Sequence, residues 1–534
     1  MAATAPPLRS IERERTSTAL ERNRAGVFAV SALTVLAVVV HGYHPYAEDG
    51  GLYLAGVKRV LDPGLYPYGT GFTTAHLRFS LFAPMVAFLV RASHLGVMAV
   101  IAMLYVASIW ATLFAGWQLA ARAYMQFEAR LGAVSLLALL LTVPVAGTSL
   151  MLMDPYVSAR SISTPCGLFA LVAMHDIARG LRQHARIAPA SVVLCIASLG
   201  LALVVHPLMG VYALGCVLIF AVASLAGARL QLAACLGLCV LAAAVAILLL
   251  LLRWAPAPPP GYLEVARTRT YWFVSQWHWY EVAGLIAPMA VLGWVYSQKR
   301  SPAGEALKSL AQTGLIAGGL AVFIALLFAR VGMSNYTVAK LQPLRVFQTV
   351  YVFTILCVGA AIGQTLLKRR ILRWAGMIGG LAVLLILVQC AAVPNSSHLE
   401  FPGIPQTNGW EQAFTWIRNN TDKNAVFALD ADYITASGED SQNFRAIAER
   451  SVIPDYSKDG GIASIAPDLT AEWIEGESAQ KGLDGATDAD RIRSLRLFPA
   501  QWIVLPRNAA TAFRCDYENA TVKVCRLPDS RGPE

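Results

Sequence analysis

The sequence predicts an all-α polytopic membrane domain followed by a small water-soluble α/β domain. Two observations predict the membrane domain: the 534 residues are 56% hydrophobic and only 14% charged, and apolar runs of about 20 residues recur, which is the length a helix needs to cross a bilayer. Because backbone polar groups in lipid must be satisfied internally, these runs are expected to be α-helices. A third observation, a change to polar and acid-rich sequence at Asn395, predicts the soluble domain.

The N-terminal segment, residues 1–24, is polar and rich in arginine. Positive residues beside a first span favour the cytoplasm, so we expect a cytoplasmic N-terminal tail and an external loop at 41–76. The arginines are Arg9, Arg13, Arg15, Arg22 and Arg24.

The membrane domain is predicted to cover residues 25–394. Its candidate spans are 25–40, 76–93, 97–118, 131–150, 161–178, 188–206, 208–227, 230–252, 280–297, 311–330, 346–366 and 374–393. Later basic clusters become cytoplasmic if the C-terminal domain is external. Arg122 and Arg130 also favour the cytoplasm, but strict alternation puts them outside. We therefore expect that one segment, either 76–93 or 131–150 with its Pro144, enters the membrane without crossing it. This leaves about eleven or twelve membrane spans.

The C-terminal domain, residues 395–534, carries 21 acidic and 14 basic residues, whereas the preceding part carries 12 and 29. The basic membrane body suits anionic headgroups and phosphorylated lipids, although positive-inside bias explains most of the difference. Patterns in the C-terminal domain predict helices and strands in alternation. The helices are 409–420, 444–449, 471–479 and 490–497, and the strands are 425–429, 451–454, 502–505 and 522–525.

Two of the nine cysteines, Cys515 and Cys525, flank a turn-like sequence in the soluble domain. They are candidates for a hairpin disulfide, which would imply an oxidising compartment. The other seven lie singly in or near apolar runs, where a small apolar side chain is the expected role.

The first external loop contains an acidic pair, Glu48 and Asp49, just beyond the first span and before two glycines. A carboxylate placed there could take a proton from an acceptor hydroxyl, or bind a divalent metal together with a substrate phosphate. The alternative is a solvated loop, or acids that begin a helix. His44 lies in the same loop but lacks any recognisable metal-ligand spacing.

A second group lies between two spans, where Asp154 and Arg160 are followed by the hydroxyl-rich start of a helix. A helix N-terminus together with an arginine can hold a phosphate. The alternative is an Asp154–Arg160 ion pair that closes the loop.

A third group opens a later span from the outer side, where Arg345 and Lys340 lie close in sequence. Cations on an external face oppose the positive-inside trend, so anion binding, for example to a pyrophosphate-bearing lipid, is a fair inference. Snorkelling to headgroups is the alternative.

This layout resembles the GT-C superfamily of membrane glycosyltransferases: one span, a long external loop opening with an acidic pair, many further spans and an external α/β domain. The resemblance implies that Glu48 or Asp49 is the catalytic base or a metal ligand. It also implies that Arg160 and Arg345 contact the phosphate of a polyprenyl-phosphate or pyrophosphate sugar donor. Asp154, Lys340 and His44 complete the expected substrate-binding set, and Mg²⁺ or Mn²⁺ would be held by Asp49 and Asp154 if a metal is used.

We therefore expect a sugar transferase of a bacterial inner membrane, with the bilayer and envelope-assembly proteins as partners and with no nucleic acid. Walker, dinucleotide-binding, HExxH and GxSxG motifs do not occur in the sequence. Two other functions remain open: a lipid or solute transporter, and a non-catalytic subunit of a surface-polysaccharide assembly system.

Overall fold

The computed structural model describes residues 8–225, 257–298, 304–436 and 438–528, with a few isolated positions between 237 and 248. The predicted span 230–252 therefore lies almost wholly outside the described residues. The described part is mostly helical and ends in a domain with a small β-sheet. Its first helix begins at Leu8, so the N-terminal segment continues directly into the first apolar span.

The helices up to Ala392 form one domain. They are α1 Leu8–His41, α2 Glu48–Leu61, α3 Thr70–Thr74, α4 Phe82–Ser93, α5 Val97–Ala123, α6 Phe127–Leu139, α7 Ala159–Arg182, α8 Pro189–Val205, α9 Pro207–Leu225, α10 Tyr262–Arg267, α11 Trp279–Ser297, α12 Gly304–Phe328, α13 Thr337–Leu341, α14 Phe347–Ile362 and α15 Ile371–Ala392.

Eight helices among the described residues are long and apolar enough to cross a membrane. Each overlaps one of the predicted spans, and several expose large apolar side chains such as Phe28, Ile286 and Leu387. Exposed apolar surface on this scale is unfavourable in water and suits lipid. The helices therefore indicate a multi-pass membrane protein.

The prediction of one continuous span over 131–150 is wrong. Helix α6 has 13 residues and ends at Leu139, so it is about 20 Å long, well short of a bilayer core of about 30 Å. The chain then turns, and Pro144 pairs with Met151 in an isolated antiparallel bridge. Irregular backbone at this depth is tolerated because protein surrounds it.

The segment 76–93 is also not a straight span, because Thr70–Arg78 and Phe82–Ser93 meet at an angle of 96°. Arg91, near the end of α4, donates to the carbonyl of Val60 at the end of α2, at 3.0 Å. Helix α4 therefore returns to the side from which the chain entered. Helix α5 then crosses, and this accounts for the position of Arg122.

The basic residues between spans lie on one face of the helical domain. Arg122 at the end of α5 pairs with Asp176 near the end of α7, at 2.5 Å. Arg182 pairs with Glu305 at the start of α12, at 2.5 Å. The ends of α1 and α15 and the start of α7 lie on the opposite face, against the C-terminal domain.

The C-terminal domain contains a five-stranded sheet in the order β2-β1-β3-β5-β4, parallel among the first three strands and antiparallel among the last three. The strands are β1 Val426–Ala428, β2 Ser451–Val452, β3 Trp502–Pro506, β4 Cys515–Glu518 and β5 Val522–Arg526. The helices are α16 Gly409–Asn420, α17 Phe444–Ala448, α18 Lys458–Ile465, α19 Thr470–Gln480 and α20 Asp488–Leu495. The predicted elements of this domain are confirmed, whereas α18 and β4 were not predicted. Cys515 and Cys525 form a disulfide between β4 and β5.

The C-terminal domain docks on α2. The buried Lys58 ammonium donates to the carbonyl of Ala446 and to the carboxylate of Glu449, both at 2.7 Å. Gly51 makes the closest approach: a Cβ placed there would lie 2.2 Å from the Cβ of Asn443. The glycine therefore lets the two domains meet.

We expect Gly51→Ala to weaken this docking, because a methyl group there overlaps Asn443 and overpacking of this kind costs about 1–3 kcal/mol. The melting temperature of the detergent-solubilised protein should fall, and limited proteolysis should release the C-terminal domain sooner. Gly461→Ala is the matched control, since open space surrounds that position. Equal stability of both variants would contradict the described packing.

Candidate functional site

The buried guanidinium of Arg160 lies at the centre of a charged cluster. It donates to Asp154 at 2.8 Å and to Asp49 at 3.2 Å. Its position is fixed by the start of α7, where Ser158 and Ser161 form a capping box that satisfies free backbone groups of the first turn. Glu48 and Asp49 begin helix α2, so one cation joins the first turn of α2 to the loop before α7.

The C-terminal domain adds a lysine to this cluster. The Lys458 ammonium pairs with Glu48 and lies 3.9 Å from a carboxylate oxygen of Asp49. The lysine side chain is only 13% exposed, whereas that of Glu48 is 65% exposed. Of the two adjacent acids, Asp49 therefore faces the interior of the cluster and Glu48 lies at its rim.

Both domains hold Lys458 in place. Arg445 donates to both oxygens of Asp459, at 2.7 and 2.8 Å, and Asp455 accepts the backbone N–H of Lys458 at 2.6 Å. From the helical domain, Arg269 donates to the carbonyls of Ser457 and Tyr456, at 2.7 and 3.0 Å. Charge-assisted bonds of this kind make the lysine a fixed part of the site.

Arg345 is the third cation of the cluster. It lies in the short helical turn Pro343–Val346 directly before α14, and its charge acts on Asp49. Its Nε atom is buried and has no hydrogen-bond partner among the described residues. We call Glu48, Asp49, Asp154, Arg160, Arg345 and Lys458 together the Asp49–Arg160 cluster.

The buried Asp154 and the partly exposed Asp49 have different electrostatic environments. Burial acts to raise the pKa of Asp49, but Arg160, Lys458 and Arg345 outweigh it and hold that pKa at about 2. Burial raises the pKa of Asp154, and the negative charge of Asp49 adds to this effect against the opposing charge of Arg160. Asp49 is thus the ionised member, and Asp154 is the one that binds a proton more readily.

The structure brings five sequence-predicted residues together: Glu48, Asp49, Asp154, Arg160 and Arg345. It places His44 elsewhere, with Nδ1 at 3.2 Å from Glu400. The half-buried Lys340 has no ion-pair partner in the described part of the chain. Sequence reasoning missed Lys458, because nothing in the pattern around it showed that the C-terminal domain folds back over the first loop.

The carboxylates do not fit a divalent metal in this arrangement. Asp49 and Asp154 both direct oxygens at the same guanidinium, and the residues described by the structure contain no group of three or more His, Cys, Asp or Glu side chains in metal-binding geometry. A hard cation needs several oxygen ligands on one side. We therefore derive no chemical step through a metal.

Comparison with protein-family models found no match to this chain, and comparison with curated protein sequences found none either.

We expect Arg160→Met to destabilise the protein strongly, because it leaves two carboxylates without their buried partner, a loss that typically costs about 3–5 kcal/mol. Adding Asp154→Asn in the same chain should recover part of the loss, since one unpaired charge is then removed. Thermal unfolding of the purified variants measures both effects. If the double variant is no more stable than the single one, Arg160 and Asp154 are not coupled as described.

Proposed function

We propose that this protein is a membrane glycosyltransferase of GT-C type that uses a polyprenyl-phosphate or pyrophosphate sugar donor. The observation that carries the proposal is the surrounding of one carboxylate, Asp49, by three cations from separate chain segments. Arg160, Arg345 and Lys458 come from the start of α7, the start of the α14 segment and the C-terminal domain. In such a transfer the phosphate leaves with negative charge, which three cations can stabilise. The acceptor hydroxyl must lose a proton, which the neighbouring carboxylate can accept.

The donor phosphate is proposed to bind Arg160, Arg345 and Lys458. Each cation is wholly or partly buried, so its attraction for an anion is screened less than at an exposed surface. The α7 N-terminus adds a partial positive charge next to Arg160. The free Nε of Arg345 provides a donor that no described residue uses.

Binding of a phosphate changes what Asp49 can do. The three cations hold the pKa of Asp49 at about 2, which is too low for an efficient general base. A phosphate that takes over these cations removes that stabilisation, so the pKa of Asp49 rises while burial continues to favour the protonated form. Donor binding would thereby activate the base.

In the proposed step, the acceptor hydroxyl oxygen forms a bond to the anomeric carbon of the sugar as the bond from that carbon to the phosphate oxygen breaks. The hydroxyl proton passes to Asp49, and the bonding electron pair leaves with the phosphate. Arg160, Arg345 and Lys458 stabilise the charge on the departing phosphate.

The charge distribution supports an extracytoplasmic site. Arg122, Arg182 and Arg369 lie on the face opposite to the Asp49–Arg160 cluster, and the positive-inside rule favours the cytoplasm for that face. The Cys515–Cys525 disulfide is compatible with an oxidising compartment for the C-terminal domain. The proposed location is a bacterial inner membrane, with the Asp49–Arg160 cluster on its extracytoplasmic side.

We expect Asp49→Asn to lower the rate of sugar transfer at least 10²-fold, since general-base catalysis contributes about 10²–10⁴. Glu48→Gln should have a much smaller effect because its side chain is mostly exposed. Incorporation of labelled sugar into the envelope of cells that express each variant at equal level is the measurement. Retention of full transfer by Asp49→Asn would refute the assignment of the base and favour a non-catalytic assembly role.

We expect Lys458→Met to weaken the binding of undecaprenyl phosphate by about tenfold, because the loss of one charge-assisted contact costs about 1.4 kcal/mol. Quenching of tryptophan fluorescence in nanodiscs measures the affinity. Lys481→Met, at an exposed lysine of the same domain, is the control and should bind the lipid like the wild type. Equal affinity of both variants would remove Lys458 from the donor site.

A further inference from the structure

A second cavity lies between the C-terminal domain and the loop after α1. Its volume is about 400 Å³, and it shares no lining residue with the Asp49–Arg160 cluster. Tyr46, Met98 and Phe401 form an apolar part of its wall, and Glu400 and Glu411 lie among the polar residues. The cavity is large enough for a ligand of hexose size.

Each carboxyl group at this cavity has one oxygen without a hydrogen-bond partner among the described residues. Glu411 is only 1% exposed, and its Oε1 is unpartnered among the described residues, as are Oε2 of Glu400 and Oδ2 of the neighbouring Asp440. The three acids act electrostatically on one another. Buried acceptors of like charge without donors are costly and call for an explanation.

The surrounding protein does not supply the missing positive charge. Arg418, at the cavity wall, lies 3.7 Å from Glu449. The buried His44 contacts the other oxygen of Glu400, but burial lowers the pKa of His44 to about 4, so it is neutral near pH 7. No lysine or arginine of the described residues therefore pairs with Glu400 or Glu411.

The surroundings of the two glutamates raise the pKa values of their carboxyl groups. Burial and neighbouring carboxylates raise the pKa of Glu411 to about 9, and burial raises that of Glu400 to about 8. Both carboxyl groups therefore bind a proton more readily than an exposed glutamate does. A bound cation would favour their ionised forms and release protons.

We propose that this cavity binds the primary ammonium group of a small ligand, with the carboxylates of Glu400 and Glu411 in its wall as acceptors and with Tyr46 and Phe401 against the ligand body. An ammonium provides both a positive charge and three N–H donors, which matches unpartnered carboxyl oxygens. A divalent metal is a poorer match, since no group of three metal-ligating side chains in suitable geometry occurs within the described ranges. The site does not depend on the proposed glycosyl transfer.

The test is calorimetric titration of the full-length protein in nanodiscs with 6-amino-6-deoxyglucose, and with glucose as the neutral analogue of the same size. The amine should bind at least tenfold more tightly than glucose at pH 7.5. Its heat of binding should vary with the ionisation heat of the buffer, because protons are released. Equal binding of the two sugars, or no binding of either, would overturn the proposal.

Two variants locate the binding. Glu411→Gln should weaken binding of the amine at least tenfold, while Glu475→Gln, at an exposed acid of the same domain, should leave it unchanged. Thr415→Trp places a large side chain in the cavity from its wall and should abolish binding while both acids are retained. This variant provides the test if Glu411→Gln does not fold. Wild-type affinity in Thr415→Trp, or displacement of the amine by CaCl₂, would contradict an ammonium site.

Affinity should also rise from pH 6 to pH 8.5, because ionised glutamates bind the cation and the proton competes with it. The titratable or charged groups around the two glutamates are Tyr43, His44, Tyr46, Arg418, Asp440 and Glu449. Burial raises the pKa values of both tyrosines and lowers that of His44. Affinity that is flat or falls over this range would count against the proposal.

Discussion

The buried Arg160 guanidinium is the interaction on which this face of the molecule depends. A cation held away from water needs counter-charges close by, and Arg160 obtains them from Asp49 and Asp154. Asp49 comes from the first turn of α2 and Asp154 from the loop before α7, far apart in sequence. Pairing of this one cation therefore fixes the first turn of α2, the loop before α7 and the first turn of α7 relative to one another.

The C-terminal domain belongs to this arrangement as well. Lys58 and Gly51 of α2 hold it against the helical domain, and the Arg445–Asp459 pair and Arg269 fix the segment that carries Lys458. As a result, the electrostatic environment of Asp49 is set by both domains. Movement of the C-terminal domain would change the charge around Asp49, which offers a physical route for coupling domain position to chemistry.

Sequence patterns predict the helices well and the site only in part. Apolar runs depend on local composition, so eight spans and most elements of the C-terminal domain are found where expected. Pro144 pointed to a break in 131–150, but the end of α6 already at Leu139 depends on tertiary packing and leaves no local signal. Asp49, Asp154 and Arg160 were recognisable as costly charges near a membrane. Lys458 and the Glu400–Glu411 cavity were not, because they depend on how the two domains dock.

The central claim is that the cations around Asp49 receive a lipid phosphate. A cryo-electron microscopy structure of the full chain in nanodiscs with undecaprenyl phosphate tests it most directly. The account predicts phosphate density in contact with Arg160, Arg345 and Lys458, with Asp49 separated from Lys458 and open to solvent or acceptor. Lipid phosphate bound at another position, with the contacts of Asp49 unchanged, would contradict it.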